Sequence, residues 1–585
     1  MRVFPAELST LQSLRLSPSA LQPHFAIGIP TAIEQSPWLL GQQRCIDAWS
    51  LFTRCRGQQL FLSTIGGFDS EALIRALEAQ QPLVKQAGHL VAIEQDGAQQ
   101  LAKFSADEFA ARKDDGSVTE LQRLERIKFI DQPLSRKTLI GTLDKQGHYF
   151  PGLLASCEVL VLPADGLIDK PSRWHIIKEA LKRGYIAFSG SAVRVPVTCK
   201  VVIMGDVLSY DALHGYDPEF ADHLSLLAEI QPEWFVDEDQ DEMLWAQAAN
   251  NVALAYTGQA LTDCGVDRLA LFASRLCEHQ HRLTLCWHEL GQLLAQADNS
   301  QALTAVAIDA ALQAKQRRHN SVEIYAQRNV EEAMVRVETS GKEIGQINGL
   351  TVVDYLGHSF GEPARITVSV HYGDGEVADI ERKSELGGNI HAKGMMILSA
   401  CLYRIFGQDE PLHLSANIVF EQSYQTIDGD SASLAEYCCL ISTIADVEVK
   451  QSLALTGAID QFGNVQAIGG INEKIEGFFH LCRYRGLTGE QGVIVPTANL
   501  CQLNLDQDVV DAVAAGKFHL YHVDKVEDAL ALLTDEEVGQ ADEDNRFADN
   551  TLYGKVQQRL DLMAGGPELP PSWLARLRDR LFGNS

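Results

Sequence analysis

The chain has 585 residues, too many for one hydrophobic core, which sets an expectation of two to four domains. Its 49 basic residues against 78 acidic ones leave a net charge of −29, which repels a phosphate backbone and excludes nucleic acid as the main partner. The N-terminus, MRVFPAELSTLQSLRLSPSA, lacks the apolar core and cleavage site of a signal peptide, and no run of about 18 apolar residues occurs, so a cytoplasmic protein without a membrane partner is expected.

From about residue 25 to 215, helical segments alternate with short β-branched or leucine-rich runs: LFLST near 60, CEVLVLP near 157 and CKVVIMGD near 199. That alternation predicts a parallel α/β module over 1–215. Over 216–332 the pattern turns strongly helical, as in DRLALFASRLCEHQHRLTLCWHELGQLLAQ, and predicts a small bundle. Cys277, His279, His281 and His288 lie in this stretch, but their spacing fits no common zinc pattern and no metal is expected. Near 333 the texture changes to strands with glycines at turn positions, predicting an α+β domain over 333–537. The apolar run around Cys438-Cys439 reads as a buried helix within it. The acidic run TDEEVGQADEDNRFADN reads as a linker, and GKVQQRLDLMAG and PSWLARLRDRLFG as amphipathic helices of a tail over 538–585.

A phosphate-binding loop would follow the first strand, where backbone amides and one lysine must surround the phosphates. The segment there is LFLSTIGGFDSEALIRAL: Gly66 and Gly67 are in place, no Lys-Ser/Thr pair follows, and Asp69 opposes a phosphate. A magnesium ligand is needed at the end of a second apolar strand. In VLVLPADG that position is Pro163, with Asp165 two residues on. The motifs therefore support no ATP or magnesium, and no cofactor is expected.

Further along, QTIDGDSASLAEYCCLISTIADV places Ser431 after Asp428-Gly429-Asp430 and at the head of an apolar-periodic helix. Unsatisfied helix amides near its hydroxyl suit an oxyanion, though serines at such boundaries are commonly N-caps. In SLALTGAIDQFGNVQAIGGINEKIEGFFHL, two short strands lead through Gly469-Gly470 into a helix with Lys474 in its first turn. A lysine there opposes the helix dipole, so local stability does not account for it.

Together these motifs resemble the proteolytic domain of Lon peptidases, the B type especially. The residues that carry the resemblance are Gly429 to Ser433, Thr456-Gly457, Gly463, Val465, Ile468 to Gly470 and Lys474. The spacings agree as well, with 25 residues from Ser431 to Thr456 and 43 from Ser431 to Lys474. The resemblance runs upstream through EIGQINGLTVVDYLGHSFGEPARITVSV and GGNIHAKGMMILSACL and covers about residues 333 to 535. Before it, LLGQQRCIDAW, PSRWHIIKEALKRG and VPVTCKVVIMGDVLSYDAL resemble a degenerate AAA+ module, in which Ser70 aligns with the phosphate-binding lysine and Pro163 with the magnesium-binding aspartate.

The resemblance implies a serine endopeptidase of unfolded or damaged proteins, with Ser431 as nucleophile and Lys474 as general base, assembled as a homo-oligomer, a hexamer by family pattern. It implies that Thr456 orients Lys474; the backbone from Asp430 to Ala432 is the candidate oxyanion hole. Asp428 either raises the lysine pKa or closes an Asx turn. The alternative readings are an ATP-dependent protease with an atypical nucleotide site and a non-catalytic ring that acts as a scaffold or chaperone.

Overall fold

The computed structural model describes residues 13–25, 27–28, 36–95, 98–113, 118–130, 133–237, 239–373, 377–383, 386–407, 412–423 and 426–565. The chain divides into two compact units: Phe25–Cys277 with Arg282–Ala311, and Met1–His24, Glu278–His281 and Leu312–Ser585.

In the first unit, strands β1 (Leu60–Ser63), β2 (Glu125–Phe129), β3 (Cys157–Pro163), β4 (Lys200–Gly205) and β5 (Leu226–Glu229) form a parallel sheet in the order β5-β1-β4-β3-β2. Strands β1, β3 and β4 are nearly continuous apolar runs because helices cover both faces. Helix α1 (Gln43–Arg54) ends where the Lys200 ammonium donates to the carbonyls of Phe52 and Cys55, a cation at the negative end of the helix. Helix α2 (Ser70–Gln80) follows β1 and begins with its own anion: Asp69 is the N-cap, and its carboxylate accepts the Ala72 amide at 2.9 Å.

Between α2 and β2 the chain forms an antiparallel three-stranded sheet, His89–Gln95, Ala98–Phe104 and Val118–Arg123, which the sequence pattern does not separate from the parallel module. Helices α3 (Asp239–Thr257), α4 (Asp263–Leu276) and α5 (Trp287–Gln296) form as their periodicity predicts and close around Trp245 and Trp287, whose ring centres are 5.8 Å apart. By its contacts this bundle groups with the α/β strands in one unit. Residues 312–332 join the second unit instead. There α6 (Ser321–Glu331) packs on the next domain's strands, and its Glu323 carboxylate bonds His358 Nε2 at 2.9 Å.

The second unit is built on a seven-stranded mixed sheet among the described residues: β6 (Gln346–Tyr355), β7 (His358–Tyr372), β8 (Val377–Asp379), β9 (Leu414–Phe420), β10 (Leu453–Leu455), β11 (Gly492–Pro496) and β12 (His519–Val523), in the order β8-β9-β7-β6-β10-β11-β12. Helix α7 (Asn389–Phe406) precedes β9, and α8 (Ser433–Ala445) lies on one face of the sheet, where Leu453 and Leu455 point. Helix α9 (Ile471–Arg485) lies on the other face, with Ala454. Strand alternation thus splits one domain into two apolar layers. Cys438 and Cys439 are fully buried in α8, as the apolar run predicts.

Helix α10 (Val526–Thr534) leads into the acidic run, which is not a free linker. The run folds back so that Leu552 and Tyr553 donate their amides to the carbonyls of Glu537 and Val538, and α11 (Leu552–Met563) follows. Its tail partner, PSWLARLRDRLFG, lies outside the described residues. No described helix is long and apolar enough to cross a membrane.

Replacing Asp69 by Ala removes the cap of α2 and is expected to cost the first unit about 1 kcal/mol of stability, read as a lower urea midpoint at constant slope. An unchanged midpoint would mean that water replaces the carboxylate without cost.

Candidate active site

The candidate site sits where β10 ends. Thr456 is the next residue, fully buried, and its backbone amide continues the sheet by bonding the Ile494 carbonyl at 3.2 Å. The loop before α8 docks against this strand end: the Gly457 amide donates to the Ser431 carbonyl at 2.8 Å, and the Leu434 amide to the Gly457 carbonyl at 3.1 Å. Thr456 Oγ1 also donates to the Ser431 carbonyl, at 3.2 Å. Ser431 is not the helix N-cap. That position is Ala432, which is buried and offers no side-chain cap, so the serine hydroxyl is left for another partner.

The partner comes from the opposite layer. Lys474, in the first turn of α9 and only 3% exposed, places Nζ 2.8 Å from Ser431 Oγ and 3.3 Å from Thr456 Oγ1. Burial disfavours the ammonium and brings the lysine pKa down to about 8, against an opposing pull from the Asp430 carboxylate. A base that is neutral in an appreciable fraction of molecules near pH 8 thus faces a serine hydroxyl within hydrogen-bond distance.

Of the two acidic residues flanking Gly429, Asp430 rather than Asp428 acts on the lysine. Among the described residues Asp428 makes no hydrogen bond to Lys474 and closes no turn on its own segment. Its Oδ1 accepts the amides of Ile390 at 3.0 Å and His391 at 3.4 Å, so it caps the start of α7 from outside the helix. Gly388 makes room for it: a Cβ there would lie 2.3 Å from the Asp428 carboxyl carbon. Gly429, at φ +147, supplies the turn between the two aspartates.

Sequence reasoning missed the residues that seat α9. Gly361 on β7 and Gly477 on α9 let strand and helix touch backbone to backbone: a Cβ at 361 would lie 2.0 Å from the Glu473 carbonyl oxygen and 2.8 Å from Lys474 Cα. Asn499 is fully buried and holds both sides of Ile468, accepting its amide at 3.0 Å and donating to its carbonyl at 2.8 Å. Asn472 ties the first turn of α9 to the Gln502 carbonyl and the Asn504 amide. The sequence signal for these positions is faint: glycines inside a strand and a helix, which mark close approach without naming the partner.

In the first unit, Gly66 and Gly67 form the exposed turn after β1, Gly67 with φ +81, and Ser70 opens α2. Pro163 is the exposed end of β3 and Asp165 the exposed start of a short helix, Asp165–Ile168. The helix amide that a phosphate would approach is held by Asp69. Among the described residues no three His, Cys, Asp or Glu groups are placed to hold a metal ion.

The fold therefore combines a parallel α/β unit with a mixed-sheet unit in which a buried lysine meets a serine. Residues 404–535 match the Lon protease (S16) C-terminal proteolytic domain, and residues 150–231 the LonB-like AAA domain. A Lon protease homolog of Escherichia coli (strain K12) is 38% identical over 403 residues, 66% of this chain and 68% of that one. One of Haemophilus influenzae is 37% identical over 430 residues, 70% and 71% of the two chains. An archaeal Lon protease of Archaeoglobus fulgidus is 28% identical over 264 residues, 44% and 40%. The chain belongs to the Lon protease family.

Burying a lysine has a stability cost whose pH dependence can be read. Between pH about 8 and 10.5 the unfolded chain holds the Lys474 proton and the folded chain does not, so stability rises with pH across that window. Below it the cost is fully present. Lys474→Met is therefore expected to stabilise the protein at pH 7 by up to about 3 kcal/mol and to lose that advantage by pH 10.5, in urea denaturation at both pH values. A destabilised variant at pH 7 would show instead that the ammonium is well paired.

Proposed function

We propose that the protein is a serine endopeptidase that works through the Ser431/Lys474 dyad. The observation that carries this reading is the 2.8 Å contact between Ser431 Oγ and a buried Nζ whose pKa is lowered to about 8. Neutral Lys474 takes the serine proton as Oγ attacks a peptide carbonyl, and the amides from Asp430 to Ala432, at the start of α8, donate to the oxyanion. As the C–N bond breaks, the Lys474 ammonium returns the proton to the leaving amine. Water, activated by the same lysine, then hydrolyses the acyl-enzyme. Thr456 holds the ammonium in line through Oγ1 and fixes the Ser431 backbone with the same hydroxyl.

The first unit does not fit a magnesium nucleotide. Asp69 puts a carboxylate on the helix amide that a phosphate needs, Ser70 stands where the lysine is required, and Pro163 stands where a metal ligand is required. Cleavage is therefore independent of nucleotide hydrolysis and restricted to chains that are already unfolded or damaged. A cytoplasmic homo-oligomer is the form in which such a site is kept from folded proteins.

Cleavage of an unfolded, fluorescently labelled protein by wild type, Ser431→Ala and Lys474→Ala, each with and without Mg-ATP, tests the reading. Wild-type cleavage is expected to be indifferent to ATP, to rise with pH through about 8 as Lys474 loses its proton, and to fall at least about 1,000-fold in either variant. Cleavage that survives Ser431→Ala, or that needs Mg-ATP, contradicts it.

A further inference from the structure

The span matched to the proteolytic domain ends at residue 535, yet the chain continues for a further ordered segment that packs on the helix behind Ser431. Helix α11 buries Leu552, Tyr553, Val556 and Leu560 in the same apolar layer as Leu434, Tyr437, Cys438 and Ile441 of α8. An apolar seal would need nothing more, but this one contains two fully enclosed phenols. Tyr553 OH lies 3.2 Å from Tyr437 OH and 3.4 Å from Glu527 Oε1 on α10. Burying a hydroxyl is costly unless its partners are fixed, so this chain of three polar groups selects one register of α11 against α8 where hydrophobic contact alone would tolerate several.

We propose that α11 is a positioning element for the nucleophile, with Tyr553 acting as a positioning residue on Ser431 through Tyr437. The inference rests on the assignment of Ser431 as nucleophile and adds an element outside the matched domain.

The mechanics follow from the layers. Ser431 leads into α8, Lys474 belongs to α9 on the other side of the sheet, and Tyr437 stands in the second turn of α8. A tilt of α8 therefore moves Oγ while Nζ stays. A displacement of about 1 Å at a reacting atom costs on the order of a hundredfold in rate.

The segment is anchored well enough to resist such a tilt. Thr551 caps α11 by accepting the Gly554 amide. Gly554 passes so close to Ala548 that a Cβ would lie 2.0 Å from its carbonyl oxygen. Phe406, Phe547 and Tyr553 form a triangle of rings with centres 5.1 to 5.6 Å apart.

The test is Tyr553→Phe in the full chain, which removes one oxygen and keeps the ring. Three quantities are read: the rate at which a fluorophosphonate labels Ser431 across pH, kcat and KM on an unfolded protein, and the thermal melting curve. Tyr553→Phe is expected to melt cooperatively and to keep KM. Its kcat and labelling rate should fall about tenfold, and its labelling pH profile should shift from the wild-type one. Tyr437→Phe should give the same loss, with no further loss in the double variant. Lys555→Ala, which breaks a partly exposed ion pair with Glu536 and leaves the Tyr437, Tyr553 and Glu527 contacts in place, should keep wild-type rates.

Wild-type rates in Tyr553→Phe, a loss that merely tracks unfolded protein, or an equal loss in Lys555→Ala would overturn the inference. A wild type that is not labelled at Ser431 overturns the proposed function and this inference with it.

Discussion

Removing the Lys474 side chain from water is the constraint around which the second unit is organised. An ammonium in an apolar layer loses hydration that no fully opposed carboxylate returns here, since Asp430 only partly offsets the burial. The amine is consequently closer to neutrality than the ordinary lysine value allows, and its hydrogen-bond partners are two hydroxyls, Ser431 and Thr456. The same burial that burdens folding makes the group able to accept a proton. Stability and chemistry are opposed at one residue, a common condition of catalytic sites.

Holding such a lysine requires that α9 not relax away from the sheet. Backbone contact at Gly361 and Gly477 brings the helix close, Gly470 enters it with φ +64 where a Cβ would strike Val352, and Asn499 and Asn472 fix the chain on either side of the turn. On the other layer, Asp428 ties the start of α7 to the serine loop, and Gly394 lets α7 approach Asp430. Ser431 and Lys474 thus arrive from opposite faces and meet only at the open end of β10, where the sheet no longer separates them.

How much of this was legible in the sequence varied with the range of the interaction. Ser431, Thr456 and Lys474 lie in short motifs whose spacing is characteristic, and the buried helix around Cys438-Cys439 announces itself by composition. The aspartates did not sort themselves: Asp428 and Asp430 stand two residues apart, and only the arrival of α7 from far upstream decides which of them caps a helix and which faces the lysine. Gly361 and Gly477 are distant in sequence, so neither shows its partner. Amphipathic periodicity found the helices between 216 and 332 but not which core each would join, because a stripe of apolar residues carries no address. The acidic run has the average composition of a linker, whereas two backbone hydrogen bonds and the buried Val538 hold it in place.

The most direct test of the account is the ionisation of Lys474 itself. In protein labelled with carbon-13 lysine, the Cε resonance that disappears in Lys474→Met can be followed by NMR as pH is raised. The account predicts that it titrates near pH 8. Titration near 10.5, the value of an ordinary lysine, would mean that the amine is hydrated and charged beside Ser431, and the proposed base would be lost.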